Sequence, residues 1–125
     1  MERRRFEAIV AESLSQLPPE FQDRLENIAI VVEDWPSREQ LLSAGCRHRA
    51  SLLGLYEGVP LTERGRGYGM VPPDKITLFQ KPIEARCKSD EQIRAEVRRV
   101  VLHEIAHHFG IGDAVLEEIE EQKYG

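Results

Sequence analysis

Apolar residues recur at three- and four-residue spacing over positions 2–17, at Phe6, Ile9, Val10, Leu14 and Leu17. That spacing gathers them on one side of a 3.6-residue turn and predicts an amphipathic helix. Pro18 and Pro19 end it. They can also open a second short helix, because proline is tolerated in a first turn; Phe21 and Leu25 are its apolar positions. The period then changes. Residues 27–33, Asn-Ile-Ala-Ile-Val-Val-Glu, are short, β-branched and bounded by polar residues, the pattern of a buried strand. Trp35-Pro36-Ser37 is a turn, with Ser37 as N-cap of a helix through Leu41 and Leu42 that stops at Gly45. Residues 52–56 read as a second strand. Residues 58–70 hold Gly58, Gly65, Gly67 and Gly69 and read as a loop. Residues 75–80 alternate Ile76 and Leu78 against Thr77 and Phe79, a third strand. Pro82 lacks an N–H for a ladder and predicts an edge or a bulge at the end of that strand.

The best-marked element is the next helix. Ser89-Asp90-Glu91-Gln92 has the form of a capping box with acids in the first turn. The helix should run to about Phe109, with Gly110 as the left-handed residue that ends it. Residues 114–122 read as a last acidic helix. The order α-α-β-α-β-β-α-α predicts a single α+β domain over residues 1–125, a small sheet backed by the long capped helix.

Composition narrows the function more than the fold. The 125 residues suit one core. No apolar run approaches the roughly 20 residues of a membrane span. The basic start Glu2-Arg3-Arg4-Arg5 is not followed by an apolar stretch, so no secretory signal is expected and the location is read as cytoplasmic. Cys46 and Cys87 are then reduced thiols, without CxxC spacing, and read as small hydrophobes near the core. The net charge of -5 argues against general nucleic-acid binding. Arg64, Arg66, Arg94, Arg98 and Arg99 could form only a local basic patch, and read more simply as solvated surface.

Chemistry concentrates at His103-Glu104-Ile105-Ala106-His107. Two histidines four apart lie within roughly 40° of each other on one helix face and can converge on one ion. Neutral imidazole is a zinc ligand, and catalytic zinc sites use three protein ligands with a fourth position open. Glu104, next to the first histidine, is placed as general base toward a metal-activated water. Gly110 lets the chain turn back so that Asp113 can supply the third ligand, giving H-E-x-x-H-x-x-G-x-x-D. Glu117 and Glu118 compete for that place. His108 lies about 100° round, on the side of Ile93, Val97 and Val101, and is expected to pack rather than ligate. The bland alternative is a buried helix with hydrogen-bonded core histidines, which leaves the positions of Glu104 and Asp113 unexplained.

At this motif the chain resembles the zincin metallopeptidases, and more narrowly the small bacterial zincin-like family of minimal zincins. Residues 53–65 (Leu-Gly-Leu-Tyr-Glu-Gly-Val-Pro-Leu-Thr-Glu-Arg-Gly) resemble the family's second-strand and loop segment. Lys75 to Gln80, followed by Pro82-Ile83-Glu84, resembles its edge strand, and residues 103–111 match its helix. The resemblance implies a three- to four-stranded mixed sheet on an active-site helix. It implies His103, His107 and Asp113 as ligands of Zn2+, Glu104 as catalytic base, and a peptide or protein substrate laid along the edge strand Ile76 to Gln80. The loop from Gly65 to Met70 could cover the cleft. In two respects the chain departs from the metzincins. They carry histidine as third ligand, and a methionine turn beneath the metal, whereas Met1 and Met70 both precede the motif here. Only 12 residues follow Asp113, so no lower subdomain is expected.

Three functions compete on this basis. The leading one is a zinc-dependent peptidase. A second is a non-catalytic, metal-stabilised module that binds a partner strand or peptide. A third is a metal-dependent endoribonuclease of the ribosomal-RNA-maturation kind, which has similar ligand offsets but no glutamate after the first histidine.

Overall fold

The computed structural model describes residues 1–58 and 73–110. The chain begins with two helices, α1 (Arg3–Ser15) and α2 (Pro19–Leu25), with Pro19 at the first helical position. Strand β1 (Ile28–Glu33) follows, then α3 (Arg38–Ala44). Helix α3 has the expected Ser37 cap with a reciprocal Gln40 bond, and it ends on Gly45 at φ 70°, a left-handed conformation that glycine adopts without strain. A 3-10 turn (Arg49–Ser51) leads into β2 (Gly54–Glu57). Strand β3 (Asp74–Phe79) runs directly into α4 (Gln80–Ala85), and the long helix α5 (Asp90–Phe109) completes the described chain.

The three strands form one mixed sheet in the order β1-β3-β2. Strand β3 pairs in parallel with β1 and antiparallel with β2. This corrects the expectation that Ile76 to Gln80 is an edge strand: residues 76–79 lie in the centre of the sheet, and Gln80 already belongs to α4. Pro82 marks neither an edge nor a bulge. It sits in the first turn of α4, where a missing N–H leaves no hydrogen bond unmade. The short alternating pattern is compatible with either location, because the partner strands lie far away in sequence. Burial resolves it. Ile76, Thr77, Leu78 and Phe79 are all fully buried, as a strand covered on both faces must be.

The two faces of the sheet are unequal. Ile76 and Leu78 join the main core, formed with Phe6, Ile9 and Val10 of α1 and Val97, Val101 and Ile105 of α5. Phe79 faces a small second cluster with Leu52 and Leu55, against which Leu41 and Cys46 pack. Cys87 packs on the main core, and both cysteines are free thiols, in line with their reading as small hydrophobes. No helix among the described residues is long and apolar enough to cross a membrane.

Helix α5 is held at both ends. Ser89 Oγ accepts from Gln92 N at 3.2 Å. The return bond of the expected capping box goes elsewhere: Gln92 Oε1 accepts from Lys88 N at 2.6 Å, one residue outside the cap. Gly110, at φ 72°, ends the helix. Three of the arginines read as surface have partners: Arg94 pairs with Glu12 at 3.1 Å, Arg98 bonds to Gln16 at 2.8 Å, and Arg99 pairs with Glu96. Against the other side of α5, β2 approaches closely at Gly54. A Cβ there would lie 2.5 Å from Val100 Cγ1, so only glycine fits unless the strand moves away.

Candidate metal centre

His103 and His107 stand one turn apart on α5, with ring centroids 5.9 Å apart and planes at 72°. His103 is half-buried and His107 exposed, so neither is a core histidine. The core side of the same helix is taken by Leu102, Ile105 and Ala106, and the histidine side therefore turns outward. It forms the floor of an open cleft of about 300 Å³ whose lining includes His103, Glu104 and His107. Ser51 to Gly54, the approach to β2, makes one wall.

Glu104 is half-buried between the helix and the sheet. Its Oε1 accepts the backbone N–H of Tyr56 at 2.9 Å. Burial pushes the carboxyl above its ordinary value; the Tyr56 bond, His107 and His103 pull it back. Leu53 O accepts from Phe79 N, which places residues 53 and 55 on the paired side of β2 and residues 54 and 56 on the outer side. Glu104 thus takes a donor from the edge of the sheet.

Tyr56 was not singled out from the sequence, yet it joins three elements. Its hydroxyl donates to Asp74 Oδ2 at 2.6 Å, and its ring stacks on His108 at 3.9 Å and 15°. His108 Nε2 lies 4.0 Å from the same Asp74 oxygen. The packing expected of His108 therefore takes the form of a stack on Tyr56, beyond the end of the Ile93, Val97 and Val101 row. The β-type pattern around Tyr56 signalled a strand, but a cross-strand bond to Asp74 has no local signature.

The donor set fits two of the three ligands of a zinc ion. Two imidazoles bound to one tetrahedral zinc through Zn–N bonds of about 2.0–2.1 Å have ring centroids about 5 Å apart, and the observed 5.9 Å is within a small side-chain rotation of that. Among the described residues no group of three or more metal-binding side chains converges. Asp113, Glu117 and Glu118, the candidates for the third ligand, lie outside the described residues, as do Arg64, Arg66, the glycine-rich loop and the segment 114–122.

Residues 25–123 match the family of zincin-like metallopeptidases. The chain belongs to that family. The match runs from the end of α2 through all three strands and both C-terminal helices, and it includes the histidine helix and position 113. A zincin-like metallopeptidase is a zinc-dependent hydrolase by class, which agrees with the two imidazoles and the carboxylate found here. No curated protein matches this zincin-like chain.

Proposed function

We propose that the chain is a zinc-dependent peptidase, with His103, His107 and Asp113 holding the metal and Glu104 as general base. The observation that carries this reading is the placement of Glu104, between two outward-facing histidines and bonded to the sheet edge. Zinc held there would supply Lewis acidity toward a carbonyl and toward water. Glu104 would act as the base, taking a proton from the attacking water at its free carboxylate oxygen and passing it to the leaving amine. The Tyr56 N–H holds one carboxylate oxygen and leaves the other for the proton. Burial raises the proton affinity of Glu104, which suits a base that must hold a proton between two steps.

The substrate is a peptide in extended form. It cannot add to Ile76–Phe79, which is paired on both sides. Strand β2 borders the cleft, and its outer edge has no strand partner among the described residues. A peptide added there pairs with the outward N–H and C=O of Gly54 and with the C=O of Tyr56, whose N–H stays with Glu104, and lies over His103 and His107.

Metal content by mass spectrometry on wild type and His107→Ala tests the centre. About one zinc per chain, lost in the variant, supports it. The second stage is peptide turnover with Glu104→Gln as control. A protein that neither holds nor takes up zinc is not a zinc-dependent peptidase, and the family fold then serves as a binding module.

A further inference from the structure

The cleft continues past the histidines. Besides His103 and His107 it is lined by two guanidinium groups, Arg86 and Arg99. Arg99 lies one turn before His103 on the same helix face and is paired with Glu96. Arg86 caps the C-terminal end of α4 through its backbone N–H and is exposed, and its guanidinium makes no hydrogen bond or ion pair among the described residues. Helix α4 packs on the 3-10 turn that leads into β2, so Arg86 stands at the Gly54 end of the strand rather than the Tyr56 end. The chain as a whole carries a net charge of -5, and a cleft lined by two cations and one carboxylate runs against that balance.

Direction follows from two contacts. Gly54 lies against Val100 and Tyr56 bonds to Glu104, so β2 and α5 run in the same sense. A peptide added to β2 pairs best antiparallel. Its N-terminal part then lies near Tyr56, and its C-terminal part points toward Gly54, Arg99 and Arg86. Four helical residues from His103 to Arg99 span about 6 Å, roughly two residues of extended chain.

We infer that this cleft selects a carboxylate about two residues to the C-terminal side of the bond over the histidines, and that Arg86 is the group that meets it. The inference rests on the peptide-docking reading above. A guanidinium offers a planar pair of donors that matches a carboxylate, and the Arg86 guanidinium has no carboxylate partner among the described residues. The carboxylate has two sources, an Asp or Glu side chain or the peptide's own C-terminus.

The test is binding, by fluorescence anisotropy, of short labelled peptides to Glu104→Gln protein, metal-free and zinc-loaded. Glutamine keeps an oxygen for the Tyr56 N–H. One peptide is blocked at both ends and carries a single Glu. The second has no acid but a free C-terminus. The third has neither. We expect one of the first two to bind about tenfold more tightly than the third, with and without zinc. That advantage disappears in Arg86→Gln, is reduced but not lost in Arg86→Lys, and is unaffected by Arg4→Gln on the exposed side of α1. The peptide that carries it identifies the source. Nonspecific attraction cannot imitate the result, because an acidic chain repels acidic peptides. Equal binding of all three, no binding of any, or a preference that survives Arg86→Gln overturns the inference. Wild type that cleaves peptides without regard to charge overturns it too and leaves the peptidase reading intact. Arg86-dependent binding without any turnover does the reverse.

Discussion

The two halves of α5 are one continuous helix with opposite uses. From Asp90 to Val101 the inner side is buried in the main core through Ile93, Val97, Val100 and Val101. The outer side is tied by Arg94 to Glu12 and by Arg98 to Gln16. From Leu102 onward the inner side is still anchored, by Leu102, Ile105 and Ala106, but the outer side presents His103, Glu104 and His107 to a cleft. The first half is a structural member. The second borrows its rigidity to hold polar groups that are not used up by packing. A reactive constellation needs such support, because imidazoles on a well-anchored helix keep their spacing.

The comparison is broken most severely at Glu104. Glu104→Gln should lower peptide turnover about 10³-fold while zinc content and thermal midpoint stay at wild-type values. Equal turnover in the two proteins removes Glu104 as the base. On the inner side of the same turn, Ile105→Ala should cost about 3 kcal/mol in urea unfolding. Val97→Ala, in the other half, should cost about 1–2 kcal/mol but leave the turnover of the folded protein unchanged. A change in kcat for Val97→Ala would mean that the halves are not separable.

Asp113→Ala should weaken zinc by at least about a hundredfold in a competition titration, the upper end of what loss of an outer-shell partner costs. Unchanged affinity passes the third place to Glu117 or Glu118. Gly54→Ala probes the junction between strand and helix. The added methyl meets Val100 and should cost about 2 kcal/mol in stability. It should also loosen the Tyr56–Glu104 bond, seen as a downfield loss at the Tyr56 amide proton in NMR. A stable variant with that amide unmoved means the strand is not held by this contact. The smallest effect belongs to the N-terminal cap. Ser89→Ala should lower stability by about 1 kcal/mol with no effect on zinc affinity. A loss of metal in that variant would show that the cap end of α5 reaches the site.

Much of the fold was legible because its signals are local. The helix period in residues 2–17, Pro19 at a first turn, Ser37 and Ser89 as caps and the left-handed stops Gly45 and Gly110 each act within one turn of chain. Helix α4 was missed because its six residues are too few to show a period and follow a strand without a break. The edge assignment of residues 76–80 failed for a different reason. Whether a strand has one neighbour or two is set by β1 and β2, more than 15 residues away, and the alternation of Ile76 and Leu78 is the same in either place.

By itself, then, the sequence determined the chemistry available: two imidazoles and a carboxylate on one turn of a capped helix, at a spacing dictated by 3.6 residues per turn. Only the tertiary structure decided what surrounds them. It put β3 in the centre and β2 at the edge, brought the Tyr56 N–H to Glu104, stacked His108 on Tyr56 and set Arg86 at the far end of the cleft. Those relations join residues between 18 and 52 positions apart, as in the Tyr56–Asp74 bond and the Tyr56–His108 stack. They follow from how the sheet buries both its faces, a condition of the whole core that no single stretch of chain records.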